Sequence, residues 1–177
     1  MAQRRATLKL DLTPLKWLAK RYKGQGLPGG LDEQWGKIYE RFVRRRFTRA
    51  GDGTWRPLAP STIAARRKGK GTGAAQILRD TGILFKALTI RAPGNLFEKI
   101  KQGVRYGFGG VSRHPGGKAT IADIGRFHDT GDGVPKRQII VDPDKGTLRL
   151  MLRATKRVNE RLMRRASHKR GRLRRVR

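Results

Sequence analysis

The stretch DEQWGKIYERFVRRRF, residues 32–47, sets its apolar side chains at Trp35, Ile38, Tyr39, Phe42 and Val43, and Phe47 continues the same face. Recurrence every three or four residues is the period of an α-helix that buries one stripe. The opposite face carries Lys37, Arg41, Arg44 and Arg45. The stretch therefore predicts a core helix with a cationic back, opened by Asp32 as a cap.

Downstream, AGDGTW (50–55) reads as a turn, and RPLAP (56–60) as extended chain, because a residue before proline avoids the α region. Ser61 is expected to cap a short helix through Thr62, Ile63, Ala64 and Ala65. KGKGTGAA (68–75) is a basic glycine-rich loop. Leu84, Phe85 and Leu88 form a helical turn, followed by two expected strands, Leu88 to Arg91 and Lys99 to Tyr106. The second strand alternates without a purely apolar face, which predicts an exposed or ring-facing strand. Thr120 caps a helix through Ile121, Ile124 and Phe127, RQIIVD (137–142) reads as a short strand, and Asp142 or Asp144 opens a last helix. The expected face of that helix is Leu148, Met151, Leu152, Thr155, Val158 and Leu162. Upstream, Thr13-Pro14 starts a helix bearing Leu15, Leu18, Ala19 and Tyr22, and GQGLPGG (24–30) ends it.

Helices and strands do not alternate strictly, so the expected class is α+β, a small antiparallel sheet packed with helices. Three segments are expected: a helical N-terminal arm and linker (1–30), an α+β domain (31–163) and a basic C-terminal tail (164–177). Between Arg153 and Arg177 there are 12 Lys or Arg and one Glu, and the last ten residues lack an apolar period, so the tail is expected to be disordered when free.

Charge is the strongest compositional signal. In 177 residues, 43 Lys and Arg stand against 13 Asp and Glu, a formal net charge of +30. Such a surplus repels itself and calls for a polyanion or an acidic partner. Arg44, Arg45, Lys68, Lys70, Arg164, Arg165, Lys169, Arg170, Arg172, Arg174 and Arg175 are the expected contacts. No base-reading motif accompanies them, so binding to DNA would be backbone-directed, non-specific and salt-sensitive.

There is no cysteine, which excludes disulfides, zinc–thiolate sites and thiol nucleophiles. No apolar run reaches bilayer length, and MAQRRATLKLDL (1–12) lacks the apolar core of a secretory signal. KGKGTG (68–73) has no Lys-Ser/Thr pair after its glycines and is not a P-loop, and GFGGVSRHPGGK (107–118) is no dinucleotide fingerprint. His114, His128 and His168 are scattered. Asp123, Asp129 and Asp132 lie near His128, but carboxylates so close in sequence more often serve as caps and turn residues than as metal ligands. No cofactor, metal or catalytic constellation is expected.

Three motifs carry a resemblance. FTRAGDGTWRPLAPSTIAARRKGKG (47–71) holds Gly53, Trp55, Pro57, Leu58, Pro60, Ser61, Thr62 and Ile63. ILRDTGILFKAL (77–88) holds Leu78, Thr81, Gly82 and Leu84. FHDTGDGVPKRQIIV (127–141) holds His128, Gly131, Pro135 and Arg137. In this order they resemble the phage virion morphogenesis family, the Mu-like tail-completion proteins, although Gln138 stands where a second proline is usual. The resemblance implies a non-enzymatic structural protein of a tailed-phage virion, located at the head–tail junction and assembled in the host cytoplasm. It implies a homo-oligomeric ring, hexameric or dodecameric, around a DNA channel, with portal, connector and tail tube or sheath proteins as neighbours and no membrane.

Under that resemblance Trp55, Pro57, Leu58, Pro60, His128, Pro135 and Arg137 are candidates for subunit contacts. For the tryptophan–proline segment the first reading is a clip over the core. Arg137 is expected to bond an acidic group on an adjacent subunit. Two other classes remain open, a ribosomal-type or DNA-coating basic protein and a phosphoryl-transfer enzyme. The first explains the charge but not the ordered motifs, and the second lacks a carboxylate cluster for two metals.

Overall fold

The computed structural model describes residues 6–9, 27–68, 76–100, 103–115 and 117–174. The protein is α+β. Strand β1 (Ala6–Lys9) is followed, after a short 3-10 turn at Pro28–Gly30, by helices α1 (Leu31–Thr48), α2 (Pro60–Lys68) and α3 (Ile83–Thr89). Strands β2 (Asn95–Ile100) and β3 (Gly103–Phe108) precede helices α4 (Ile121–Thr130) and α5 (Lys145–Arg174). The sheet is antiparallel in the order β1-β3-β2, with Ala6 opposite Tyr106 and Phe97 opposite the same tyrosine.

Helix α1 is the spine, as its periodicity predicts. Leu31, Trp35, Tyr39, Phe42, Val43 and Phe47 are all buried. The entry differs from expectation. Gly30, at φ +72°, precedes the first residue, and Asp32 sits inside the first turn, where its carboxylate accepts from the Glu33 amide at 2.8 Å and pairs with Lys99 at 3.0 Å. A positive φ suits glycine, so the turn itself starts the helix. Tyr39 and Trp35 have polar tips that need partners once buried. The Tyr39 hydroxyl donates to the Val141 carbonyl at 2.6 Å, and Trp35 Nε1 to the Met151 carbonyl at 3.3 Å. Helix α5 therefore runs antiparallel to α1, with Val158 near Gly29 at one end and Thr147 near Arg45 at the other.

The strands fall elsewhere than the sequence suggests. The segment expected as strand Leu88 to Arg91 is the end of α3, where the Thr89 hydroxyl donates to the Phe85 carbonyl at 2.7 Å, followed by Arg91 at φ +53°. Arg91 turns the chain and pairs with Glu40 at 2.5 Å and Glu33 at 3.0 Å. The expected strand Lys99 to Tyr106 is a hairpin instead, since Ile100 pairs with Gly103. Its second arm, β3, is the central strand rather than an exposed one. Val104, Tyr106 and Phe108 line up two residues apart against the helices, and the Tyr106 hydroxyl donates to the Leu88 carbonyl. Gly125 of α4 lies so close to the Phe108 ring that a Cβ there would stand 2.3 Å from it.

At the N-terminus, residues 6–9 form an edge strand, where a helical arm was expected, because β3 offers them a partner. The helix expected from Thr13 lies outside the described residues, as do most of 68–75. RQIIVD is not a strand and belongs to no sheet. Its Ile139 and Ile140 are buried, and the Asp129 carboxylate accepts from the Ile139 amide at 2.7 Å and the Ile140 amide at 3.4 Å. A side chain thus takes the place of a neighbouring strand.

Two other caps follow expectation. Thr120 and Asp123 make a reciprocal capping box at the start of α4, and the Asp144 carboxylate accepts from the Thr147 amide at 2.6 Å at the start of α5. Helix α2 begins at Pro60, one residue before the expected cap, since proline is well suited to a first helical position. The buried face of α5 is Thr147, Met151, Ala154, Thr155 and Val158, whereas Leu148 and Leu152 are exposed, the latter 64 %. Apolar residues flank this face on both sides, so periodicity alone leaves its angle open by a residue position. The tail expected from residue 164 is helical through Arg174. Arg, Lys, Ala, Leu and Met are good helix formers, and no proline interrupts them.

Replacing Asp129 with Ala removes the acceptor for two buried amides and is expected to lower unfolding stability by about 2–4 kcal/mol. Asp129→Asn keeps an oxygen in place and should lose less than half as much. Urea unfolding followed by circular dichroism measures both, and equal losses would contradict the assigned role.

Candidate functional site

The first and third motifs meet in space. From the turn after α1, Trp55 is buried edge-on against Phe47, with ring centroids 5.6 Å apart, and Gly51 lies beneath its ring. Trp55 Nε1 donates to the Gln138 carbonyl at 3.1 Å, and Arg46 Nη2 donates to the same oxygen at 3.0 Å. Arg137 places Nε and Nη2 on the Arg56 carbonyl at 3.2 and 3.1 Å, while its own amide donates to the His128 carbonyl at 2.6 Å. The 50–56 turn and the 137–138 segment are thus clasped by hydrogen bonds in both directions. The second motif joins through Phe85, edge-on to Phe47 at 5.4 Å, and Arg66 links α2 to Asp80 at 3.7 Å. Gly82, at φ +72°, stands at the entry to α3.

Two of the candidates for subunit contacts have tasks within their own chain. Trp55 is the clip over the core, as first read, and Arg137, only 6 % exposed, bonds a carbonyl of its own chain. The turn supplied an acceptor in the same molecule, which no spacing in the sequence reveals. Pro57, Pro60 and Pro135 are exposed, and Leu58 and His128 are half-buried. These five remain on the surface around the clasp. Burial lowers the pKa of His128, the charges of Arg137 and Arg66 add to the effect, and the Pro135 carbonyl opposes it, with a net value of about 4.

The three aspartates near His128 have separate tasks: Asp123 caps α4, Asp129 holds two amides, and Asp132 pairs with Arg126 at 3.6 Å. Among the described residues no group of three acidic or histidine side chains is arranged for a metal.

The distribution of carboxylates decides the character of the surface. Asp32, Glu33, Glu40, Asp52, Asp80, Glu98, Asp132 and Asp144 pair with cations of the same chain. Asp123 and Asp129 bond hydroxyl or amide groups. Burial works against ionisation of Asp144, but the Thr147 hydroxyl and amide and the Arg45 charge hold its pKa below the ordinary carboxylate value. The fold uses most of its described acids as fasteners, and most of the described cations are left facing outward.

Between α1 and α5 these cations border a trough of about 320 Å³. Lys37, Arg41 and Arg45 stand four residues apart on α1, and Arg153 and Arg157 four apart on α5. Ile38, Phe42, Leu150 and Ala154 lie between the rows, and no acidic residue lines the trough. Among the described residues Lys37, Arg41, Arg153 and Arg157 have no ion-pair partner. Arg45 is partly committed to Asp144, and Arg44 donates to the Thr89 carbonyl at 3.2 Å.

Arg164 and Arg165 are exposed on α5. Lys70 and Arg175, and the side chains of Lys68, Lys169, Arg170, Arg172 and Arg174, lie outside what is described. The sequence reading missed the two-helix trough, yet its signal is legible: arginines at 153 and 157 stand four residues apart, as do the cations at 37, 41 and 45.

No protein-family model, curated protein or solved structure matches the chain.

The His128 imidazole stays neutral in the folded protein down to about pH 4, whereas an ordinary histidine takes its proton near 6.5. Between those values the unfolded chain binds the extra proton, so stability is full above the upper value and declines as pH falls through the window. With solvent screening of the partly exposed ring allowed for, the decline attributable to this group is about 1–2 kcal/mol. Denaturant midpoints across the window should therefore flatten in His128→Gln, and an unchanged profile would contradict the assignment.

Proposed function

We propose that the chain is a non-enzymatic architectural protein of a tailed-phage particle, working as a ring of six or twelve copies at the head–tail junction. In this reading it surrounds the DNA channel, with portal, connector and tail tube or sheath proteins as its neighbours. The observation that carries the reading is the outward bias of charge. Carboxylates fasten the joints of the fold, and among the described residues Lys37 and Arg41 on α1 and Arg153 and Arg157 on α5 have no ion-pair partner. A surface of this kind gains by releasing counterions to a polyanion.

The convergence of the motif residues on one clasp supports the family resemblance that supplies the ring and its station. It gives Trp55 and Arg137 one shared structural purpose. The same charge also favours a second reading, a basic protein that coats nucleic acid without a particle. The two differ in what they demand. The first needs self-assembly and a fixed number of copies per virion, and the second needs neither. No helix among the described residues is long and apolar enough to cross a membrane, and the virion location belongs to the proposal.

Fluorescence anisotropy with unrelated duplex oligonucleotides should give equal affinities within about two-fold, with log K falling against log salt at a slope of about −4 to −6. Neutralising Arg164 and Arg165 to Gln should reduce the steepness by about 2. Light scattering of the pure chain and its copy number in purified virions complete the test. A monomer that ignores DNA and is absent from particles would overturn the proposal, and DNA binding by a monomer absent from particles would favour the coating protein.

A further inference from the structure

The trough between α1 and α5 has a floor as well as rims, and the floor is apolar. Leu150 is 49 % exposed there, beside half-buried Ile38 and buried Ala154. Cations alone would suit any polyanion, but a phosphodiester backbone gains nothing from Ile38 or Leu150. Stacked bases would need an open aromatic face. The ring at this site, Phe42, is 3 % exposed, with the guanidinium groups of Arg45 and Arg46 at 5.5 and 5.9 Å from its centre.

A single small anion fits no better. The charges lie in two rows, with neighbours on each helix about 6 Å apart, rather than converging on one point. The complement of an apolar floor between two cationic rows is an apolar stripe between two rows of carboxylates. An amphipathic acidic helix carries that pattern, and docking in a groove between helices is a common recognition mode.

We propose that the trough seats an acidic amphipathic helix from a different protein, its apolar edge on Ile38 and Leu150 and its carboxylates against Lys37, Arg41, Arg153 and Arg157. A second copy of this chain is a poor donor. Of its 13 acids, Asp142 and Glu160 are the two described ones without a hydrogen-bond or ion-pair partner, and they lie far apart in sequence. The partner is therefore strongly acidic where this chain is basic. The proposal rests on the architectural reading only for where such a helix is met, in a neighbouring particle protein.

The test uses the full chain and a fluorescent peptide of about 18 residues, roughly five helical turns, with leucines on one face and glutamates on both flanks. A scrambled peptide of the same composition is the comparison. The patterned peptide should bind about ten-fold tighter than the scrambled one. Leu150→Ser should abolish that difference while leaving affinity for a DNA duplex unchanged. Arg41→Gln with Arg157→Gln should weaken peptide binding about ten-fold, and Arg149→Gln with Lys156→Gln, off the trough, should weaken it less than two-fold. Circular dichroism checks that each variant is folded.

Equal binding of the two peptides, or no response to Leu150→Ser, overturns the proposal. So does a loss of DNA affinity in the trough pair that the control pair does not show, which would make the trough a nucleic-acid surface. Peptide failure with the DNA salt slope intact removes this proposal alone. Peptide capture by a chain that ignores DNA removes DNA contact from the architectural reading and leaves this one standing.

Discussion

Thirteen carboxylates cannot neutralise forty-three cations, and the structure depends on where those few are placed. Among the described residues most of them sit at joints. Glu33 and Glu40 hold Arg91 at the turn between α3 and β2, Asp52 holds Arg46 under the clasp, and Asp144 joins the start of α5 to α1. Each pair is partly exposed and contributes little by itself, on the order of 1 kcal/mol or less. Their larger effect is on sign. With the acids committed to the seams, the helix faces turned outward are cationic along much of their length, and the folded protein meets its surroundings as a polycation.

Buried aromatic side chains complement this arrangement. Trp35, Tyr39, Trp55 and Tyr106 each bring a large apolar body to the core and a single donor to a backbone carbonyl, on Met151, Val141, Gln138 and Leu88 respectively. Two of these carbonyls, on Gln138 and Val141, lie in a segment where no strand is available to take them, and Met151 lies in α5. The segment 137–141 is held by Tyr39 and Arg46, Trp55, and Asp129, side chains from three other parts of the chain, and by its own Arg137. Burial of the rings and saturation of the polar backbone are therefore one event, which explains how a segment outside any sheet can be buried.

This arrangement also explains what could be read in advance. Helix α1, the Thr120 cap and a cap at Asp142 or Asp144 are local, so spacing alone revealed them, while the reciprocal bond from Asp123 and the choice of Asp144 came from the structure. The 137–142 segment has the composition of a strand, but its partner is a carboxylate ten residues back, and no pattern of apolar residues announces that. The hairpin at Ile100–Gly103 was hidden because both arms share one alternation, and the edge strand at 6–9 because it borrows its order from β3. At the candidate site the Trp55 clip was legible from composition. Arg137 was not, since its acceptor is a main-chain oxygen 81 residues away. The trough needed α1 and α5 to be laid side by side, although the four-residue repeat of cations on each was present in the sequence.

If the surplus charge is directed outward and uncompensated, folding must work against self-repulsion, which mobile ions screen. The direct measurement is the thermal midpoint of the pure chain as sodium chloride rises from about 10 mM to about 200 mM, a range over which screening shortens from about 30 Å to less than 10 Å. The account predicts a midpoint that climbs by several degrees across that range. A midpoint that stays level or falls would mean that the internal ion pairs outweigh the exported charge, and would contradict it.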